Sequence, residues 1–241
     1  MSALLTRRDG DVLVATINRP EAANALNAAV LDGLVAALAD AGADGTVRAM
    51  VVTATGERIF SAGADLKEYA ELDRASAGSR RRATLSRALL AVVDFPKPLV
   101  VAIQGKAIGA GCMLAQIADA AIAVEGAELR MPEIALDMPS PLGVAILAWR
   151  GGLVAARELI QTGVSVDAAA ALARGMLDAV VSRDALAAQA LERGRALAAH
   201  GGDAYRANKA WINRDLRRAM TEATAEAERL HQARHGGEGR G

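Results

Sequence analysis

Three short apolar runs in the first half of the chain constrain its fold more than any other feature. They occupy positions 48–54 (RAMVVTA), 99–104 (LVVAIQ) and 119–124 (DAAIAV). Each is shorter than a typical helix, and its apolar residues follow one another without the alternation of a strand that has one wet face. Such a run is a strand covered on both faces, and strands of that kind belong to parallel sheets flanked by helices. Helical patterns at 27–41 and 83–93 separate the runs. Strand, helix, strand order implies right-handed crossovers and an α/β core.

Further strands are expected at 11–18 (DVLVATIN), which alternates, and at 127–131 (AELRM). TGERIFSAGADLKEYA, after the first run, reads as a loop and then a helix. FPKP, at 95–98, stops the 83–93 helix, because proline cannot continue a helix and restricts the residue before it. After Pro141 the pattern is helical, over 142–150, 152–162, 167–173, 184–199 and 203–234, with MLDAVV (176–181) interrupting it. The expected organisation is an α/β core over 1–140, a helical C-terminal region over 141–235 that packs on the core or forms a subunit interface, and a disordered tail over 236–241.

Composition narrows the function classes. Hydrophobic residues make up 52% of the chain and aromatics only 2%, so the core must be built of Ala, Val, Leu and Ile. The 28 basic and 28 acidic residues cancel, which argues against a nucleic-acid partner, since that leaves a basic footprint. Arg80-Arg81-Arg82 is short and reads as a solvated helix face. Cys112 stands alone, so no disulfide framework is expected and a reducing cytoplasm fits. The N-terminus lacks the apolar run of a signal peptide, and no stretch of about 18 uncharged apolar residues would span a membrane. His200, His231 and His235 all lie far along the chain from its glycine-rich turns. Ser61, Ser140 and Cys112 therefore have no partner histidine in reach of sequence reasoning, and no HExxH, CxxC or paired-His spacing points to a metal.

Two small-residue turns carry the chemistry. The first is FSAGADLK (60–67) and the second GKAIGAGC (105–112). Both follow an expected buried strand and run towards a helix. Either alone is an ordinary tight turn. Together, at neighbouring strand ends, they could aim two backbone N–H groups at one oxygen, the arrangement of an oxyanion hole. A phosphate loop is disfavoured: GxxxxGK[ST] is absent, and neither turn has GxGxxG with an acid about 20 residues on.

NRPEAANAL, FSAGADLKE, GKAIGAGCMLA, Asp119 and MPEIAL, in this order and spacing, resemble the crotonase superfamily of enoyl-CoA hydratases and isomerases. The resemblance spans roughly residues 8 to 235. It implies a spiral of ββα units with a helical C-terminal region, assembled as a homotrimer or a dimer of trimers. It implies an acyl-CoA thioester as substrate and a thioester enolate held by the N–H groups of Ala64 and Ala110. Contacts to the CoA carry over to Ala22, Ala23, Ala62, Asp65 and Leu66, with Lys67 as a phosphate contact. No metal or redox cofactor is implied, because CoA arrives as part of the substrate.

Hydratases of this family use two glutamates. The first falls on Met113 here and the second on Glu133. Met113 lines the substrate site but moves no proton. One carboxylate suits migration of a double bond from position 3 to position 2, in which a single base removes the α proton and returns it at the γ carbon. Isomerases of the family often keep only the second glutamate. Burial among apolar neighbours is expected to raise the pKa of Glu133. The alternatives are a hydratase with an altered second acid, other enolate chemistry such as decarboxylation or thioester hydrolysis, and a CoA-thioester binder that has lost catalysis. Asp137 is a rival carboxylate, Asp119 reads as structural and Cys112 as a packed small residue. Two departures stand out. MPSPLGV (138–144) replaces the family's PGxGG turn, which disfavours hydration. The chain also ends AERLHQARHGGEGRG in place of the usual EGxxAFxEKRxPxF.

Overall fold

The computed structural model describes residues 2–200 and 202–235; the expected tail over 236–241 lies outside them. Two sheets organise the first part of the chain. The larger runs in the order β1-β2-β3-β5-β7-β10, and the smaller in the order β4-β6-β8-β9. Their strands are β1 Leu4–Asp9, β2 Val12–Ile17, β3 Ala49–Ala54, β4 Ile59–Ser61, β5 Leu99–Ile103, β6 Lys106–Ile108, β7 Ala120–Val124, β8 Glu128–Arg130, β9 Ser165–Asp167 and β10 Ala179–Val181.

The three apolar runs became β3, β5 and β7, adjacent and parallel in the larger sheet. Every residue of β5 and β7 is buried, as continuous apolar runs require. Each is followed by a short strand of the smaller sheet and then by helix, giving the repeated ββα unit of the expected spiral. β1, which pairs antiparallel with β2, was not expected. Its sequence, LLTRRD, buries only Leu4, and charge on an edge strand hides the strand pattern while guarding the edge.

The helices are α1 Ala28–Ala43, α2 Arg74–Asp94, α3 Ala110–Gln116, α4 Pro141–Thr162, α5 Ala168–Ala173, α6 Leu186–Ala198 and α7 Gly202–His235. Asn27, Asp73 and Asp167 cap α1, α2 and α5 by accepting from the N–H three residues on. Gly152, at φ +78°, breaks α4 where two helices were expected. The helix expected directly after the first glycine turn is absent. Residues 66–72 form turns instead, because the Asp65 carboxylate accepts from Lys67 N–H at 3.0 Å and Tyr69 sits at φ +64°. The helix begins only at Arg74, nine residues before the expected start at 83.

α7 lies against α2 and α4 of its own chain. Arg82 pairs with Glu228, Ser86 bonds Thr224, and Asn213 donates to Val93 O. The arginine cluster is therefore not a solvated face. Arg82 is tied to α7, Arg81 to the loop after the first glycine turn, and the exposed Arg80 stands over the Tyr69 ring. Among the described residues no helix is long and apolar enough to cross a membrane.

Asp119 has the structural role expected of it. Its Oδ2 accepts from Leu99 N–H at 2.8 Å and from Lys209 Nζ at 2.6 Å, joining α7 to two strands of the larger sheet. Burial pushes the Lys209 pKa down, and Asp119 opposes that shift. Asp119→Ala leaves a buried ammonium and a strand N–H unpaired, so a loss of about 3–5 kcal/mol is expected in urea unfolding.

Candidate active site

The first glycine turn is held by a one-residue bridge. Leu26 N–H donates to Gly63 O at 2.8 Å, and Asp65 N–H donates to Leu26 O at 3.1 Å. These bonds take the groups on either side of Ala64 and turn its own N–H the other way. The second turn is held by Gly109 N–H, which donates to Arg130 O at 2.8 Å. α3 then starts at Ala110, whose N–H belongs to the first helical turn and lacks a carbonyl four residues back. Neither Ala64 N–H nor Ala110 N–H meets an acceptor among the described residues.

The two turns touch. A Cβ on Gly63, at φ +96°, would lie 2.9 Å from Ile108 O and 3.3 Å from Ala110 N. This is what the small residues encode: one backbone crossing another with no room for a side chain.

Glu133 opens a single 3-10 turn, Glu133–Leu136, just after β8. Its Oε1 stands 3.0 Å from where a Cβ on Gly109 would be, so the carboxylate lies over the second turn. Its Oε2 is buried without a hydrogen-bond partner. Burial pushes the Glu133 pKa above the ordinary glutamate value of 4.5, and only its own backbone N–H opposes the shift. A groove of about 230 Å³ flanks Glu133 on the α4 side, walled by Ile134, Met138, Pro139, Val144 and Ile160. Glu133 is the single carboxylate in its lining, which includes neither Ala64 nor Ala110. A wider hollow of about 410 Å³, at the C-terminal end of α1, contains none of these residues.

The rival groups are placed elsewhere or occupied. The Asp137 carboxylate is 93% exposed and pairs with Arg234 at 3.3 Å, so it points to solvent. Burial drives the Cys112 thiol up to about 12, which leaves it protonated and packed. Ser61 Oγ accepts from Gly63 N–H at 3.2 Å and supports the first turn. Met113, on the first turns of α3, is buried, and its N–H donates to Gly109 O at 2.9 Å.

The NRP turn comes to the first glycine turn, where Ala62 N–H donates to Ala23 O at 3.0 Å. Ala22, Ala23, Ala62, Ala64 and Asp65 thus form one cluster, while Ala110, Met113 and Glu133 surround the second turn. Leu66 and Lys67 lie on the exposed rim. Burial acts to raise the Asp65 pKa, but the Arg19 guanidinium at 2.9 Å and Lys67 N–H outweigh it and hold the carboxyl low.

Sequence reasoning missed the residues that fasten this cluster. Asn24, 1% exposed and at φ +52°, accepts from Arg19 N–H and donates to Thr55 O and Ile59 O. An asparagine inside a turn is a signal for that left-handed conformation, and it was available. Glu68 Oε1 accepts from Ala28 N–H, and Arg81 Nη1 reaches three loop carbonyls. Those contacts join segments far apart in sequence and leave no local pattern.

Residues 7–237 match the enoyl-CoA hydratase/isomerase family. The chain belongs to this family. The enoyl-CoA hydratase/isomerase chain is 36% identical to 2,3-dehydroadipyl-CoA hydratase of Escherichia coli (strain K12), over 95% of its own length and 89% of that relative. It is 30% identical to the short-chain-enoyl-CoA hydratase of Clostridium acetobutylicum, over 93% of its length and 86% of that relative. Its fold is similar to that of a carnitinyl-CoA dehydratase from Mycobacterium avium 104, with a TM-score of 0.85 and 31% identity over 99% and 94% of the two chains. The crotonase fold and an acyl-CoA-processing activity follow. In this chain the Glu133 carboxylate lies over Gly109 of the second glycine turn, next in sequence to Ala110 and its N–H, which is unbonded among the described residues.

Proposed function

We propose that this enzyme moves the double bond of an unsaturated acyl-CoA from position 3 to position 2. The single observation that carries the reading is the Glu133 carboxylate over the second glycine turn, with its Oε2 buried without a hydrogen-bond partner, and Met113 at the position where the resemblance puts the first glutamate of a hydratase. Glu133 takes the α proton of the 3-enoyl thioester. The electron pair of that C–H bond passes to the thioester oxygen. Ala64 N–H and Ala110 N–H hold the resulting enolate oxygen. The enolate then collapses: the oxygen's charge returns through the carbon chain, the double bond settles between the α and β carbons, and Glu133 delivers its proton to the γ carbon. A raised pKa suits this base, because a stronger base is needed for a weakly acidic C–H.

Ala22, Ala23, Ala62, Asp65, Leu66 and Lys67 hold the CoA, and these steps need no further cofactor. A homotrimer or dimer of trimers, working in the cytoplasm, belongs to the same reading, as does a division into an α/β core and a helical C-terminal region. Hydration of a 2-enoyl-CoA is the second reading, favoured by the names of the E. coli and Clostridium relatives.

Incubation in D2O with a 3-enoyl-CoA and, separately, a 2-enoyl-CoA, followed by mass spectrometry, separates the two. Conversion of the 3-enoyl to the 2-enoyl compound is the expected result. Addition of water to the 2-enoyl compound without isomerisation favours hydration. No change and no deuterium in either acyl chain leaves only a binder or other thioester chemistry.

A further inference from the structure

We infer that Arg81 is a positioning residue that shapes the loop receiving the nucleotide end of coenzyme A; this rests on the reading of Asp65, Leu66 and Lys67 as coenzyme A contacts. The loop over 65–68 leaves the first glycine turn without entering a helix, so its carbonyls lack the regular partners of a helix, apart from the turn bond of Glu68 N–H to Asp65 O. One nitrogen reaches three of them. Arg81 Nη1 lies 3.2 Å from Asp65 O, 3.1 Å from Leu66 O and 3.2 Å from Glu68 O, so its two hydrogens are shared among three carbonyls.

Three carbonyls drawn to one cation on α2 face the helix, and the side chains of Leu66 and Lys67 are left exposed on the rim. The ends of the loop have anchors of their own, Asp65 on Arg19 and Glu68 on Ala28 N–H. Between those ends only the local turn bonds of Asp65 and the Arg81 contacts hold the backbone. Arg81 itself makes no ion pair among the described residues. Burial pushes the Arg81 pKa down, and the nearby charges of Glu68 and Asp65 oppose that shift without pairing with it. A fixed cation behind a rim that bears Lys67 also favours an anionic ligand such as the CoA phosphates.

The test is calorimetric titration of CoA into wild type, Arg81→Ala and Arg81→Lys, with turnover measured on an acyl-CoA and on the matching acyl-pantetheine, which lacks the nucleotide. Arg81→Ala is expected to weaken CoA binding by about tenfold or more and to raise KM for the acyl-CoA alike, with kcat within about threefold of wild type. The lysine variant should recover part of the affinity, because an ammonium can donate to three carbonyls. Turnover of the acyl-pantetheine should not change.

Unchanged CoA affinity in Arg81→Ala, with or without a lower Tm, overturns the inference. So does an equal loss on both thioesters, which would place the effect at Ala64. If the alanine variant does not fold, Arg81→Gln keeps two of the three stem methylenes, removes the charge and takes the same titration. Wild type that binds no CoA overturns the underlying reading of the loop. Binding without double-bond migration overturns only the isomerase reaction.

Discussion

Glu133→Gln is expected to lower kcat by roughly 10³–10⁴-fold, at the upper part of the range for general acid–base catalysis, because one group serves both proton transfers. The amide has nearly the volume of the carboxylate, so acyl-CoA affinity should be retained. The pH profile gives a second reading of the same residue. Burial places the Glu133 pKa above 4.5, and the base works only when ionised. The rate in wild type should therefore fall as pH drops through a value higher than that of an ordinary glutamate.

Stability should move in the opposite direction to activity. The native state holds the Glu133 proton more tightly than the unfolded chain does. Wild-type stability therefore declines as pH rises from the unfolded pKa through the higher native one, and a glutamine carries no such penalty. Glu133→Gln should be more stable than wild type at neutral pH, and the difference should vanish in acid, below 4.5. Thermal melts at several pH values check it. A variant that is inactive but also less stable at neutral pH would count against a buried, ionised catalytic base.

Gly63→Ala is the second large effect. The new methyl would lie 2.9 Å from Ile108 O and 3.3 Å from Ala110 N, on a backbone at φ +96°. Both problems push the two turns apart, and the Ala64 and Ala110 N–H groups ride on those turns. A loss of one donor's alignment corresponds to about 100- to 1000-fold in kcat. The strained backbone costs about 1–3 kcal/mol more. Steady-state kinetics beside a urea melt separates the two. A folded Gly63→Ala enzyme with full kcat would show that these N–H groups do not act on the developing charge.

Much of this site is legible in the amino-acid sequence. The glycines of FSAGADLK and GKAIGAGC announce close backbone approach, and the family resemblance, by placing Met113 and Glu133 at the two glutamate positions, implies a single carboxylate. The apolar runs at 48–54, 99–104 and 119–124 announce a parallel sheet. β1 is hidden from such reading because four of its six residues are exposed, two of them arginines, and its pairing with β2 comes from a hairpin rather than from burial. The helix expected after Asp65 failed because a side chain-to-backbone bond competed with helix formation there.

Sequence by itself pointed to the buried parallel strands, most of the helices and the family, since these depend on local patterning and on residue types at short spacing. Only the tertiary structure decided that Asp137 faces solvent, that Asp119 is spent on Lys209 and Leu99, and that Arg81 grips the loop beyond the first glycine turn. Each of those outcomes depends on which distant segment arrives beside a group. Burial and partner then set whether a carboxylate or a guanidinium is free to act, and neither is encoded within a few residues of it.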